Sequence, residues 1–346
     1  MSSSIDTYNP PVGRSVAPAP RSTRQAPRDP LVACPTLPRG EDALDGAEER
    51  TIALAGRRVP IGVVAGLLLA AVAWALIVAF CEPFGRLWGT GQDARSYWAP
   101  SLADPYANAN WTTPSAYPYS PVFLQVLQPI RLLPWEGFIA AWTAILLAAL
   151  AFLTGPRLLA VGIIFAAMEL AGGNVELLLA AAIVVGFRYP SAWAFVLLTK
   201  VTPGVGLLWF AVRREWRALG IALGTTAAVA AISAVVAPDA WLQWPGVLAG
   251  IAGRGGTWAA VPVPLLVRLP VAVAIIVWGA RTDRRWTVVV GGMLALPALW
   301  YGGFSMLLAV LPLVAVRTPA DLVELVGTAR DRLARARGAG ASRAGG

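Results

Sequence analysis

The stretch that decides the fold class is "VPIGVVAGLLLAAVAWALIVAF", from Val59 to Phe80. It carries no charged residue over 22 positions. A helix of this length, rising about 1.5 Å per residue, crosses the roughly 30 Å hydrocarbon core of a bilayer. The run begins near residue 59 and exceeds the apolar region of a typical signal peptide, so it predicts a membrane span rather than a cleaved signal.

The rest of the chain has the same character. Of its 346 residues, 57% are hydrophobic and 14% are charged, against about 25% charged in soluble domains. Hydropathy predicts an all-α polytopic membrane protein with about ten transmembrane helices, in a range of about nine to eleven. The predicted spans are 59–80, 119–133, 137–154, 158–171, 174–187, 190–211, 218–237, 263–280, 286–300 and 304–316. Several are shorter than the roughly 17 residues that an untilted span needs.

The net charge of +9 comes largely from arginines at the ends of the predicted spans. These clusters are Arg57/Arg58, Arg213/Arg214/Arg217, Arg281/Arg284/Arg285 and Arg317. Because positive residues mark cytoplasmic loops, they predict a multi-pass plasma-membrane protein with both termini in the cytoplasm. Such arginines also bind anionic membrane lipids, so the charge does not require a nucleic-acid partner.

Composition divides the chain into three parts. Residues 1–57 are rich in Pro, Ser, Ala and Arg and predict a disordered cytoplasmic tail. Residues 58–317 are the polytopic transmembrane domain, and 318–346 a basic cytoplasmic tail that begins with a short surface helix and ends disordered. Two segments rich in Trp, Pro and Gly, 81–118 and 238–262, are predicted extracytoplasmic loops that lie along the membrane surface.

Few residues can carry acid–base chemistry. Histidine is absent, and only nine carboxylates lie in residues 58–316. Glu215 and Asp283 lie among cytoplasmic arginines and indicate local ion pairs, whereas Glu136 indicates the start of a helix. Glu169 and Glu176 flank "LAGGN" inside apolar sequence. A carboxylate there is a functional candidate, because it is costly in a membrane unless it is paired or faces water.

The first outer loop holds the other candidates. Asp93 lies near Tyr97 in "GTGQDARSYW", where the glycines allow an unusual turn. It is either a solvated turn residue or a reactive carboxylate. Asp104 precedes a proline and is equally typical of a turn. The tyrosines Tyr106, Tyr117 and Tyr119 fit either an interfacial belt or a binding site.

Lys200, in "LLTKVTPGVGLLW", is the only lysine of the chain. A charged side chain at the centre of a bilayer costs roughly 2.5 to 3.5 kcal/mol. Snorkelling to the membrane surface is one explanation. The alternative comes from Thr202-Pro203-Gly204, which disfavour a helix and predict a break that turns the lysine toward a polar cavity. An ammonium group there suits an anionic oxygen such as that of a phosphate.

The ordered set of these motifs resembles the GT-C integral membrane glycosyltransferases, specifically glycosyltransferase family 87, which includes actinobacterial polyprenyl-phosphate-mannose-dependent mannosyltransferases. The resemblance rests on "YPYSPVFLQVLQPIRLLPW", "GNVELLLAAAIVVGF" and "LLTKVTPGVGLLWFAVRREWRAL" and is strongest over Ile61 to Arg217. Where family members have Gly-Gln and Lys-Pro-Thr-Pro, this chain has Gly173-Asn174 and Lys200-Val201-Thr202-Pro203.

The resemblance implies an inverting sugar transfer, of mannose or another hexose, outside the cytoplasm. The donor would be a polyprenyl-phosphate sugar and the acceptor a lipid or glycan. Asp93 would be the general base, and Lys200, with Arg254 or Arg268, would hold the leaving phosphate. The residues that would position the substrates are Tyr97, Asp104, Tyr106, Tyr117, Tyr119, Asn174 and Glu176. No cofactor or metal is expected, since basic side chains would carry the phosphate charge.

Two other functions fit the same residues. A transporter or lipid-linked-sugar flippase would use Glu169, Glu176 and Lys200 as intramembrane translocation residues. Against it, the chain has no visible internal repeat and a long first outer loop. A membrane scaffold without chemistry is the second alternative.

Overall fold

The structure, a computed structural model, describes residues 50–54, 57–81, 90–107, 116–253 and 261–344. The described chain begins with a hairpin that the sequence did not predict. Its strands are β1 (Thr51–Leu54) and β2 (Arg57–Pro60), paired antiparallel with Thr51 opposite Pro60. Every element after the hairpin is helical, so the helical fold class is confirmed.

In chain order, a first group of the described helices precedes residue 187 and a second group follows it. The first group is α1 (Ile61–Phe80), α2 (Gln92–Trp98), α3 (Pro121–Arg131), α4 (Trp135–Thr154), α5 (Leu159–Phe165), α6 (Ala167–Gly172) and α7 (Glu176–Gly186). The second group is α8 (Trp193–Thr199), α9 (Leu208–Val212), α10 (Trp216–Val236), α11 (Pro238–Gly253), α12 (Leu265–Arg281), α13 (Trp286–Leu294), α14 (Val310–Leu313) and α15 (Pro319–Ala344). Short 3-10 helices cover Pro190–Ala192, Thr202–Leu207 and Tyr301–Ala309.

Three of the described helices, α1, α4 and α10, are long and apolar enough to cross a membrane. Each predicted span overlaps described helix, but most of these helices are short or interrupted. The span predicted at 158–171, for example, is divided into α5 and α6. The membrane character is therefore supported, while the count of ten crossings stays a prediction.

The predicted break after the lone lysine is confirmed. Helix α8 ends at Thr199, and Lys200 has extended backbone angles, φ −129° and ψ 109°. Pro203 then lies in the 3-10 turn Thr202–Leu207, which leads into α9. Because Pro203 lacks an N–H and its ring would clash with the carbonyl of Thr199 in a continuous helix, the two short helices cannot join into one.

The second predicted outer loop was wrong in part, since α11 makes most of it helical. Its apolar residues Ala240, Trp241, Trp244, Val247 and Leu248 recur at helical spacing and pack against the core. The tryptophan and glycine content had suggested a loop, although this spacing was present in the sequence. The surface helix predicted near the C terminus is also longer than expected, because α15 continues to residue 344.

The ends of α4 separate two environments. Near its start, the Trp135 ring lies against Gly91, just before α2. At its end, the Arg317 guanidinium donates to the carbonyl oxygen of Phe152 at 3.2 Å. A helix of 20 residues is about 30 Å long. The Asp93-bearing helix and a basic turn thus lie at opposite ends of a membrane-length helix.

Candidate active site

The end of helix α8 places Lys200 beside Glu176, a carboxylate at the start of the preceding helix α7. The Lys200 Nζ atom donates to Glu176 Oε1 at 2.5 Å, and the two side chains are 15% and 4% exposed. The ammonium has three hydrogens, so this bond leaves two for another acceptor. The pair explains how the chain keeps a lysine in apolar surroundings, because the carboxylate offsets its charge.

Glu169 holds the turn that carries Glu176. Its Oε1 atom accepts the backbone N–H groups of Glu176 at 2.7 Å and Leu177 at 3.3 Å, at the start of α7. Its own carbonyl oxygen accepts the N–H groups of Gly173 and Asn174 at 2.9 and 3.2 Å. Free N–H groups at a helix start attract a carboxylate. One residue thereby fixes the whole turn between α6 and α7.

Asn174 connects this turn to the outer-loop helix. Its Oδ1 atom accepts the Tyr97 hydroxyl at 2.9 Å and the Val175 N–H at 2.8 Å. The Tyr97 and Tyr119 hydroxyl groups are 3.2 Å apart. Burial raises the pKa of the Tyr97 hydroxyl well above its ordinary value, with smaller contributions from nearby acidic groups, so this group stays a hydrogen-bond donor.

Asp93 reaches the same cluster because α2 packs closely on the end of α6. Gly91, at φ +78°, starts α2 and donates its N–H to the Ala171 carbonyl oxygen at 2.7 Å. The Asp93 carboxylate lies over Gly172, where a β-carbon would be 3.1 Å from Oδ2. At Gly173, which has φ +70°, a β-carbon would be only 2.7 Å from that of Ala94. Only residues without a side chain fit this contact.

The surroundings of Asp93 make it a suitable proton acceptor. Its side chain is partly exposed, and no hydrogen bond to it occurs within the described parts of the chain. Its pKa is raised to about 7, mainly by burial and then by the negative charge of Glu176, while Lys200 partly offsets the rise. A carboxyl group that titrates near neutral pH both accepts and releases a proton readily.

The other loop tyrosines shape the wall of the cluster. Tyr106 donates to the Tyr119 carbonyl oxygen at 2.8 Å, and Tyr117 donates to that of Ser120 at 2.6 Å. Both hydroxyl hydrogens are therefore already used. Tyr119 is different, because its ring faces Lys200, with Nζ 5.8 Å from the ring centre. An aromatic face at this distance stabilises a cation.

The remaining predicted residues lie apart from this cluster or outside the description. Arg268 is buried and donates to the carbonyl oxygens of Val263, Leu294 and Pro297 at 2.8, 2.6 and 3.1 Å. These bonds hold the start of α12 to the end of α13, and none joins Arg268 to the cluster. Asp104 is exposed in the turn after α2. Arg254 lies outside the described residues.

From sequence, Glu169 had a role only in the transporter alternative, as a translocation residue, and Gly172 had none. Two features of the sequence could have indicated their roles. Glu169 is a carboxylate within an apolar segment, and Gly172 belongs to a Gly-Gly pair just before Asn174. In the part of the chain that the structure describes, no group of three Cys, Asp or Glu residues is arranged to hold a metal ion. The cluster therefore offers a base, a cation and hydroxyl or amide groups for its chemistry.

Membrane-length helices around a buried cluster of carboxylates, a lysine and tyrosines define a membrane protein with an enzyme-like polar site. Residues 117–329 match the sequence model of glycosyltransferase family 87. The match covers more than half of the chain, which therefore belongs to this family and is a glycosyltransferase. No curated protein and no solved structure matches the chain.

The extent of the match corrects one expectation. The resemblance was expected to be strongest over Ile61 to Arg217, but the match begins at Tyr117 and continues through the later helices to residue 329. It includes Glu169, Asn174, Glu176 and Lys200. Asp93 precedes the matched region, so its assignment depends on the geometry described above.

Proposed function

We propose that this glycosyltransferase moves a hexose, mannose by family resemblance, from a polyprenyl-phosphate sugar to a lipid or glycan acceptor, with inversion. The observation that carries the proposal is the partly exposed Asp93 carboxylate, which lies over Gly172 beside the turn that carries Glu176, the partner of Lys200. Among the described residues, the Asp93 carboxylate has no hydrogen-bond partner. A carboxylate without a partner can accept a proton. A cation near it suits a phosphate leaving group.

The reaction follows from these two side chains. The acceptor hydroxyl oxygen attacks the anomeric carbon of the sugar and forms the new C–O bond. Its proton passes to the Asp93 carboxylate as the bond between the anomeric carbon and the phosphate oxygen breaks. The electron pair of that bond leaves with the polyprenyl phosphate, which gains one negative charge. The two free hydrogens of the Lys200 ammonium stabilise this charge as it develops.

The neighbouring groups position the substrates. Asn174 has an amide nitrogen in addition to the oxygen that binds Tyr97, and the Tyr119 hydroxyl lies beside that of Tyr97. Amide and hydroxyl groups of this kind bind sugar hydroxyls. The polyprenyl chain and the lipid acceptor would lie in the surrounding membrane. The charge of the donor phosphate is met by a side chain, so the step needs no cofactor.

The proposal includes the arrangement in the membrane. Residues 58–317 are the transferase domain, between an N-terminal tail of residues 1–57 and a C-terminal tail of residues 318–346. Both tails lie in the cytoplasm, and Asp93 faces the extracytoplasmic side of the plasma membrane. The position of α2 and the Arg317 turn at opposite ends of α4 supports this orientation.

Asp93→Asn tests the base directly. Radiolabelled polyprenyl-phosphate mannose is supplied to membranes that contain either the wild-type chain or the variant. We expect the variant to insert normally and to lose about 10²- to 10⁴-fold in kcat, the usual contribution of a general base. Glu136→Gln, at an exposed carboxylate in the first turn of α4, is the control and keeps its activity. Uptake of substrate into vesicles without sugar transfer would contradict the proposal.

Lys200→Ala tests the phosphate contact in the same assay. The loss of the ammonium group removes the hydrogen bonds to the donor, so the apparent KM for donor rises by on the order of tenfold or more. The KM for acceptor changes much less. An unchanged donor KM in an inserted, folded variant would assign Lys200 to packing alone.

A further inference from the structure

Two buried carboxyl groups next to the lysine leave one oxygen each without a hydrogen-bond donor. Glu169 and Glu176 are 1% and 3% exposed. Their Oε1 atoms accept from the α7 backbone and from Lys200, respectively. Their Oε2 atoms are buried and unpartnered in the described structure. Ionised carboxylates only accept hydrogen bonds, so two such oxygens cannot satisfy each other without a proton.

The Glu169 side chain lies against the first residue of α7, where its Oε1 atom accepts the Glu176 N–H at 2.7 Å, and the two carboxyl groups interact. A single proton on Glu169 Oε2, donated to Glu176 Oε2, gives both oxygens a partner. The resulting chain of hydrogen bonds runs from the α7 N–H groups through Glu169 and Glu176 to the Lys200 ammonium. Every carboxyl oxygen in it then has a hydrogen bond, which buried polar groups require.

We propose that Glu169 and Glu176 share one proton, and that Glu169 is a positioning residue that keeps Lys200 available to an anionic donor. This inference rests on the proposed function for its effect on catalysis. With one proton, the two glutamates and the lysine carry no net charge. With both glutamates ionised, the same group carries one negative charge and repels a phosphodiester.

The charged groups around the pair are few. Asp93, Arg95 and Tyr97 come from α2, Tyr119 precedes α3, and Lys200 follows α8. Helices α5 and α13 and the 3-10 helix Tyr301–Ala309 contribute no Asp, Glu, Lys or Arg. Helix α4 contributes Glu136 alone, and that side chain is exposed at its first turn. Among the described residues, Asp93 is therefore the other carboxylate close to the pair.

Removal of the shared proton predicts a specific dependence on pH. Above the pH at which Asp93 is ionised, the wild-type donor KM rises as the glutamate pair loses its proton. Glu169→Gln has an amide N–H in place of the carboxyl proton and an oxygen for the α7 N–H groups. It therefore keeps the donor KM within about threefold of wild type near neutrality and abolishes the alkaline rise. Glu169→Ala loses both bonds, so its donor KM rises on the order of tenfold.

Infrared spectroscopy of the purified full chain tests the proton without any substrate. The measurement uses an Asp93→Asn background, which removes the partly exposed carboxyl group beside the pair, and compares it with the same chain carrying Glu169→Gln. We expect the protonated-carboxyl absorption of the parent to disappear in the Gln variant and to persist in a Glu136→Gln control. Identical spectra of parent and Gln variant would overturn the shared proton.

The two measurements separate the proposals. If the wild-type chain transfers no sugar but the infrared band depends on Glu169, the proton pair stands and the proposed function fails. If transfer occurs and the wild-type donor KM is flat through alkaline pH, the positioning role is wrong. The same conclusion follows if folded Glu169→Gln is as impaired as Glu169→Ala at every pH.

Discussion

Asp93 differs from the described carboxylates outside the cluster in what surrounds it. Glu215 binds Arg213 at 2.8 Å, which is the local ion pair that was predicted. Asp283 was also expected to pair locally, but it binds the same Arg213, from a different arginine cluster, at 2.9 Å. Asp104 is exposed to solvent. Asp93 is mostly enclosed, makes no ion pair within the described residues and lies close to the negative charge of Glu176. Desolvation and like charge both favour its protonated form, which raises its basicity.

The reaction is expected to lose rate at acid pH because Asp93 must be ionised to accept a proton. Its pKa of about 7 places the inflection of kcat/KM near neutrality, with rate rising as pH rises through it. Glu176 raises this pKa, so Glu176→Gln moves the inflection to lower pH. Lys200 lowers it, so Lys200→Met moves the inflection to higher pH. The measurement is a pH profile of initial transfer rates for the three chains.

The test is the direction in which each substitution shifts the inflection of the pH profile, and the activity that each variant retains does not affect it. Both variants alter the ion pair and are expected to be slower than wild type. A loss of general stability would move neither inflection, or would move both in one direction. An inflection that stays in place in both variants would show that a group other than Asp93 limits the rate at acid pH.

Individual residues show what sequence could and could not predict. The ion pair of Glu215 with Arg213 was predictable, because the two residues lie close in sequence. The partner of Asp283 was not, since Arg213 belongs to a different arginine cluster of the sequence. Lys200 was singled out by its rarity and by the proline after it. Its partner Glu176 is 24 residues away, and no local pattern gives that pairing. The hydroxyl partners of Tyr106 and Tyr117 are backbone atoms, which sequence does not specify.

At the scale of elements, the apolar runs predicted where helices occur better than where they end. The break after Thr199 was predictable from Pro203, because proline acts locally. The division of 158–171 into α5 and α6 was not, since the sequence there has no proline after Pro156. There the backbone angles of Ala166, φ −94° and ψ 13°, mark the junction. Packing of neighbouring helices, rather than propensity, determines such a junction.

At Gly173, in the turn between α6 and α7, a small substitution is expected to displace Asp93 of the neighbouring helix α2. Its φ of +70° costs an alanine roughly 1 to 2 kcal/mol. The added β-carbon would also lie 2.7 Å from the Ala94 side chain on α2. Gly173→Ala is therefore expected to lower thermal stability by at least about 1 kcal/mol and to reduce kcat more than donor KM. Thermal unfolding in detergent and transfer kinetics at a permissive temperature measure the two effects.

Gly220→Ala is the matched control. Gly220 lies within α10, where a β-carbon would meet nothing within 4 Å. Alanine is favoured over glycine in a helix by roughly 0.5 to 1 kcal/mol, so this variant keeps or slightly gains stability. Equal stability and equal kcat in Gly173→Ala and wild type would mean that α2 does not pack on the α6–α7 turn as described.

The three long helices give the whole molecule a consistent polarity. Helix α10 starts beside Arg213, which bonds to Asp283 and to the Ala280 carbonyl oxygen, so two basic turns are in contact. It ends next to α11, whose Trp244 donates to the Pro118 carbonyl oxygen of the first outer segment. Helix α4 has the opposite direction, from the α2 side to Arg317. The arginine clusters predict that the basic ends of these helices face the cytoplasm, whereas the number of crossings depends on short helices that sequence does not resolve.

Labelling from one side of the membrane tests this polarity. In a chain with Cys34→Ser and Cys81→Ser, single cysteines are introduced as Ser101→Cys, after α2, and Arg330→Cys, in α15; both positions are exposed. Because α2 and the Arg317 turn lie at opposite ends of α4, we expect a membrane-impermeant maleimide to label Ser101→Cys in intact spheroplasts. Arg330→Cys is labelled only after permeabilisation. Labelling of both positions in intact spheroplasts, or the reverse order, would place Asp93 on the wrong side for a polyprenyl-phosphate donor outside the cytoplasm.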